Sequence, residues 1–349
     1  MIEVIKDGKQ WNQQLSLIEH LDTYHTHEYH HITKNAGESP ILIKYTDGRT
    51  SLFLPLLLRP IENSNYKDAI SVYGYTGILT LSLDEHFNKK KFHNELNAFF
   101  NENKIISVFS RLHPFLNHQE SLLEGLGTIV IRGKVVYIDL NTTLEDQIKL
   151  YHKRMKTYLN KSRTTCMVIE SKLENDLDTF IDLYHQNMKR VDAEKNYYFD
   201  KSYFQQLMLS KEFTTKLTLC IHNETQTVVG GALFMKKGKF VQYHLSGFNE
   251  EYSALNPIKL LIDEERITST NQGFEYLNLG GGRGSAEDSL FKFKLSFSNQ
   301  VKEFKIWKYV VDENAYRMLV ENHLECPLEV ALKNTEFFPA YRSTEIFNS

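Results

Sequence analysis

Apolar positions early in the chain fall into short runs broken by turn residues. Ile41-Leu42-Ile43-Lys44-Tyr45 and the run from Ser51 to Leu58 read as two strands around a Thr46-Asp47-Gly48 turn. A further strand ends in Val72-Tyr73-Gly74-Tyr75-Thr76-Gly77. A helix is predicted over about 84–102, with Phe87, Phe92, Leu96, Phe99 and Phe100 as its apolar stripe, and then a strand from Ile105 to Ser110.

The same order recurs later. Lys216 to Ile221 and Val228 to Met235 read as strands around His222-Asn223-Glu224. They precede the strand Phe240 to Leu245, a helix from about Asn256 and a strand from Phe274 to Leu279. Val108 follows Tyr73 by 35 positions, and Leu277 follows Tyr243 by 34. Matching order and spacing predict an old duplication. The fold class expected is α+β, with mixed sheets flanked by helices.

Between the halves, Leu144, Ile148, Tyr151, Met155 and Tyr158 recur at helical spacing over about 144–160. The other faces carry Lys149, Lys153, Arg154, Lys156 and Lys161. That basic side reads either as a solvated face or as a wall over an anionic ligand.

Composition narrows the class. With 349 residues, 41% hydrophobic and 24% charged, the chain suits two domains with real cores. A net charge of −3 argues against nucleic-acid binding by bulk charge, though not against a local basic groove. No run of 18 apolar residues is present, so no membrane span is expected. The start, Met1-Ile2-Glu3-Val4-Ile5-Lys6-Asp7, lacks the pattern of a signal peptide. Cys166, Cys220 and Cys326 are too far apart for a zinc motif or a disulfide framework. A reducing, cytoplasmic setting is the expectation.

Candidate chemistry concentrates in the second half. Strand alternation puts Val241, Tyr243 and Leu245 on one face and Gln242, His244 and Ser246 on the other. His244 reads as a general base for an attacking amine, or as a structural histidine bonded to a carbonyl. After Gly247 and Ser253, Asn256 suits an N-cap and Pro257 the first helical position, with Lys259 in the first turn. Such a helix start can seat a cofactor pyrophosphate. Gly280-Gly281-Gly282-Arg283-Gly284 permits close backbone approach or is a flexible loop; it is neither a P-loop nor a dinucleotide fingerprint. If Leu290 to Phe297 is helical, Leu290, Phe293 and Phe297 share an apolar face. Lys294 beside them is either solvated or poised to steady an oxyanion. Arg111, at a strand end, can fork onto a phosphate. His25, His27, His30 and His31 have no ordered carboxylate or cysteine partner, so no metal is expected. No residue set suggests a covalent acyl-enzyme.

Leu290, Phe293, Lys294 and Phe297 after a Gly-rich strand end, with Tyr243 and Ser246 upstream, resemble the Fem-like group of GNAT acyltransferases. Tyr184-His185-Gln186-Asn187-Met188-Lys189-Arg190, Tyr198-Phe199 and Tyr203-Phe204 add to the resemblance, which runs from about residue 70 onward. It implies two GNAT-like domains, 1–145 and 146–314, with 315–349 returning to the first.

Within that group, Fem enzymes move amino acids from tRNA onto peptidoglycan precursors, and relatives use acyl-CoA on nucleotide-linked amino sugars. The chain lacks a charged heptad hairpin in its second half. Tyr73-Gly74-Tyr75-Thr76-Gly77 and Arg111-Leu112-His113-Pro114 resemble the sugar-acylating members. The resemblance therefore implies direct transfer from a coenzyme A thioester, as co-substrate, to the amine of a nucleotide-linked sugar. A dTDP-3-amino-3,6-dideoxyhexose serving a surface glycan is the sugar implied. By this analogy Arg154, Arg190 and Arg111 hold phosphates. Tyr73, Tyr75, His113 and Tyr243 line the acceptor site, and Lys294 takes the oxyanion position. Ser246, Gly247, Ser253, Asn256, Lys259, Gly281 and Gly282 meet the cofactor. The usual Arg/Gln-x-x-Gly-x-Gly/Ala cofactor loop is absent after Tyr243. The alternatives are tRNA-dependent transfer to a peptidoglycan precursor, and a degenerate pair that only binds a nucleotide sugar.

Overall fold

The structure, a computed structural model, describes residues 1–343. It divides into two units. The first takes Met1–Ile18, Thr33–Arg132 and residues 304–343, and the expected return of 344–349 lies outside the described residues. The second takes Glu19–Ile32 and Gly133–Glu303. The division thus falls at 132/133 and 303/304 rather than 145/146 and 314/315, and the second unit recruits a short piece from near the N-terminus.

In the first unit the strands are β1 (Ile2–Ile5), β2 (Ser39–Asp47), β3 (Thr50–Pro60), β4 (Lys67–Ile70), β5 (Leu79–Ser82) and β6 (Ile105–Arg111). β7 (Thr128–Asp139) passes from the first unit into the second, where β8 (Cys166–Ser171), β9 (Thr214–His222), β10 (Val228–Lys237), β11 (Phe240–Phe248) and β12 (Tyr276–Gly280) follow. β13 (Val301–Val310) leads back to the first.

The first unit orders its strands β1-β2-β3-β4-β6-β13, with β5 on β3. The second orders them β7-β12-β11-β10-β9-β8. Each unit has a hairpin (β2/β3, β9/β10) and a strand antiparallel to its second arm (β4, β11). Each then adds a helix and a strand parallel to that third one (β6, β12). The order of elements expected from spacing therefore recurs, and the strands of each unit pair in a mixed pattern.

The predicted elements hold with particular exceptions. The strand expected to end at Gly77 stops at Ile70, and 71–77 is irregular. The first repeat's helix is Lys89–Glu102, capped by the Asn88 side chain accepting from the Lys91 N–H at 3.0 Å. It buries Phe92, Leu96 and Phe100 at i, i+4 and i+8. The helix expected over 144–160 breaks into Leu144–Lys149 and Met155–Thr165, because the chain turns at 150–154, where the His152 N–H donates to Ser296 O at 2.9 Å. Tyr151 and Met155 are buried as expected, while Arg154 and Lys156 are exposed.

The second unit's core lies between one sheet face and the helices Met155–Thr165, Pro257–Asn271 and Ser289–Leu295. Val136, Ile138, Phe234, Val241, Leu277 and Leu279 meet Met155, Leu261 and Phe291 there. Helix Glu174–Arg190 covers the other face. Its stripe Leu177, Phe180, Ile181 and Tyr184 is buried, with acids in the first turn and Lys189 and Arg190 in the last, which suits the helix dipole. It crosses β11 at Gly247, where a Cβ would lie 2.4 Å from Leu183 backbone atoms.

Candidate active site

The site takes shape where β11 and β12 part. They pair in parallel through Phe240–Tyr276, Val241–Leu277 and Gln242–Asn278. Beyond Gln242 the described residues share no register, yet β11 runs on to Phe248. A fork results whose β11 side offers backbone polar groups to whatever fills it.

One residue past the last pair, β11 carries a bulge. Tyr243 faces Phe234 and Leu245 faces Leu233, so His244 opposes nothing on β10. The extra residue shifts the alternation. Tyr243 and Ser246 come to one face and share a hydroxyl–hydroxyl hydrogen bond. His244 points to the other. Ser246 therefore does not stand beside His244 as strict alternation predicts.

His244, expected from sequence as a general base, is tied into a hydrogen bond and a cluster of rings. Its Nε2 shares a hydrogen bond with the Tyr203 hydroxyl at 2.8 Å, and the Tyr29 ring lies 6.5 Å away, edge-on. Burial among these rings holds its pKa down to about 3, because the charged imidazolium would lose hydration there. The helix carrying Lys294 packs its Phe291 into the same core as Val241 and Tyr243, on the opposite sheet face. His244 and Lys294 thus do not share a cavity.

Lys294 is 7% exposed, not solvated. Its helix, Ser289–Leu295, starts with the Asp288 side chain accepting from the Phe291 N–H at 3.0 Å. Phe291 and Phe297 are buried beside it, whereas Leu290, expected on the apolar face, is exposed. The Lys294 ammonium donates to Gly281 O at 2.6 Å. Burial lowers its pKa to about 8, partly offset by Asp288.

The glycine run is a built corner rather than a loose loop. Gly280 has φ +76°, a left-handed conformation that favours glycine. A Cβ on Gly282 would lie 2.0 Å from Ala286 O. Asn278, 2% exposed, accepts from the Gly280 N–H at 2.9 Å, and its amide donates to Gln242 Oε1 at 2.9 Å. Gln242 in turn donates to Asp22 Oδ2 at 2.5 Å. Sequence reading missed Asn278 and Asp22. A polar residue inside the apolar run 276–279 was the one signal for the first; nothing local marked the second.

The remaining second-unit candidates lie around the end of β11. Arg190 sits 4.1 Å from the Phe248 ring centroid, bonds Asn187 and lies 3.9 Å from Glu250. Asn256 holds the N-cap position as expected, with Pro257 next, but its side chain does not cap. It has φ +52° and makes no capping bond; its Oδ1 accepts from Lys259 Nζ at 2.8 Å. Lys259 lies 4.1 Å from the Tyr158 ring centroid, and burial lowers its pKa. Ser253 is exposed in the turn before this helix.

Tyr73, Tyr75, Arg111 and His113 belong to the first unit. They gather where β4 and β6 end: the Gly77 N–H donates to Arg111 O at 3.0 Å, and the Arg111 N–H to Ser71 Oγ at 3.1 Å. Tyr75 packs edge-on against Phe304, and Arg111 lies 5.3 Å from the Phe109 ring centroid. His113 is buried, its backbone held at both ends by the Gln119 amide at 3.0 and 2.7 Å. His25 and His30 are buried, and His25 Nδ1 accepts from the Asp22 N–H at 2.9 Å. Among the described residues no three His, Cys, Asp or Glu gather to hold a metal, and no helix is long and apolar enough to cross a membrane.

Comparison with known proteins fits this geometry. The family model for the FemAB family matches residues 210–311, a stretch that holds β11, β12 and Lys294. No curated protein matches the sequence. Among solved structures, FemX superposes with a TM-score of 0.69 at 12% identity, covering 90% of this chain and 99% of its own. A conserved protein of unknown function from Bacteroides thetaiotaomicron gives 0.55 at 10% identity, covering 88% and 100%. The C-terminal domain of a putative lysylphosphatidylglycerol synthetase from Agrobacterium fabrum gives 0.53 at 13%, covering 88% and 93%. The chain has a Fem-like GNAT fold.

Proposed function

We propose that this chain is an acyltransferase that joins an acyl group to an amine at the β11–β12 fork. The observation that carries the proposal is Lys294, an ammonium buried beside the glycine corner where the fork opens. In such a reaction the amine nitrogen attacks the acyl carbonyl carbon, and the carbonyl's π electrons move onto oxygen. A cation already stripped of water steadies that oxygen more strongly than a solvated one would. As the intermediate collapses, the bond to the leaving sulfur or oxygen breaks. The nitrogen gives up one proton and the leaving atom takes one. Tyr243, with its pKa pushed up to about 12 by burial, stays protonated and can donate to that atom while it takes a proton from Ser246, which in the same step takes the one the nitrogen gives up, so both hydroxyls end as they began.

For donor and acceptor, the first reading is a coenzyme A thioester and the amine of a nucleotide-linked amino sugar. The motifs at 73–77 and 111–114 support it, as does Arg190, held over Phe248 at the end of β11. The second reading is transfer of an amino acid from tRNA to a peptidoglycan precursor, and the match to the FemAB family favours it. Thiol release from a panel of acyl-CoAs, with a dTDP-amino sugar as acceptor and ribonuclease present, separates them. Release that needs both substrates supports the first. Turnover only with aminoacyl-tRNA, abolished by ribonuclease, overturns it in favour of the second.

A further inference from the structure

A carboxylate can only accept hydrogen bonds, whereas a primary amide presents a donor at one end and an acceptor at the other. Asp22, wholly buried, therefore dictates the orientation of everything bonded in series behind it. Gln242 must turn its NH2 toward Asp22 and its carbonyl toward Asn278. Asn278 must then turn its NH2 toward Gln242, which leaves its carbonyl oxygen for the Gly280 N–H. Gln242 and Asn278 are also the last paired residues before the strands diverge, so the series ends at the fork itself. All three side chains are at most 2% exposed, and water competes little for these bonds.

We propose that Asp22 and Asn278 are positioning residues: the carboxylate sets the polarity of an Asp22–Gln242–Asn278 relay that fixes the Gly280–Gly281 corner beneath Lys294. Its catalytic meaning rests on the acyltransferase reading; its structural meaning does not. Gly281 O is the acceptor that aims the ammonium, and Gly280, at φ +76°, is the hinge that aims Gly281. Releasing the Gly280 N–H loosens both.

The test is to move the charge along the relay. In Asp22→Asn the series can run backwards, leaving the Asn278 NH2 facing the Gly280 N–H, two donors with no acceptor. Asn278→Asp alone sets a carboxylate against the Gln242 carbonyl. Combined, the two substitutions allow a complete reversed relay. The amide introduced at position 22 donates to Gln242, Gln242 donates to the carboxylate introduced at position 278, and that carboxylate accepts from Gly280. Each single variant is expected to speed Gly280 amide hydrogen exchange and to lower kcat, both roughly tenfold, with KM little changed. The double variant is expected to recover both. Additive losses in the double variant, or wild-type exchange in Asp22→Asn, overturn the proposal. If a single variant fails to fold, recovery of the fold by the double variant decides the same point. Should the wild type turn over no donor, the acyltransferase reading falls while the exchange data still judge the relay.

Discussion

Replacing Lys294 by methionine separates function from stability in a way the structure makes quantitative. The ammonium's pKa falls from 10.5 to about 8 in the fold, so holding the charge there costs about 3 kcal/mol relative to the unfolded chain. At neutral pH both states are protonated and that cost is fully present. As pH rises from about 8 to 10.5, the folded lysine sheds its proton while the unfolded one keeps it, so stability climbs. Methionine has similar length and no charge. It removes the cost but strands Gly281 O, a loss of about 1–3 kcal/mol that does not vary with pH. The stability difference, Lys294→Met minus wild type, should therefore fall by about 3 kcal/mol between pH 7 and pH 10.5. Urea unfolding of both proteins across that range measures it, and shared titrations cancel. At pH 7 the variant should be about as stable as wild type or more so, with kcat down by roughly a hundredfold or more. A difference that stays flat with pH would refute the assignment of a shifted, buried ammonium at this position.

Three further outcomes are expected. Because oxyanion support needs the protonated lysine, kcat should decline above about pH 8, and a pH–rate profile with no inflection there would remove Lys294 from the chemistry. Tyr203→Phe should cost about 1 kcal/mol in denaturant unfolding by removing the hydroxyl bonded to His244, yet leave kcat near wild type; a large loss in kcat would place His244 in the catalytic set. Glu265, fully buried, lies 2.5 Å from the Lys236 ammonium and 3.0 Å from that of Lys216. Glu265→Gln should lower unfolding free energy by about 3–5 kcal/mol, since Lys236 loses its counter-charge and Lys216 keeps only the more distant Glu170 in a place with little water.

The architecture was legible because burial imposes it directly on residue type. Phe92, Leu96 and Phe100 mark a helix face, and Val228 to Met235 marks a strand, whatever surrounds them. The fork could be read only in part. Lys294 and the glycines stood out by composition, but whether that lysine meets water depends on Phe291 and Phe297 packing around it. His244 misled for a definite reason. A strand's period of two assumes regular pairing, and one bulge between Tyr243 and Leu245 separated His244 from Ser246. Asp22 was beyond reach. Its partner lies 220 positions away, and no local pattern encodes a bond that only the finished fold creates. Asn256 fits a similar account, since the turn before it imposes φ +52° and leaves its amide free to hold Lys259 instead of the helix start.

The order in which the chain visits its two units has a consequence for how the protein can be made and cut. The path goes first, second, first, second, first, so neither unit is a continuous stretch of sequence. A ribosome delivers Asp22 long before the strands it will serve, and the carboxylate must wait for Gln242 to emerge. Conversely, a gene fragment encoding only Gly133 to Glu303 omits that carboxylate and the turn that presents it. Such a fragment would emerge with its glycine corner unbraced, and no single proteolytic nick could release either half intact. The repeated strand order of the two units thus comes with segments that alternate along the sequence.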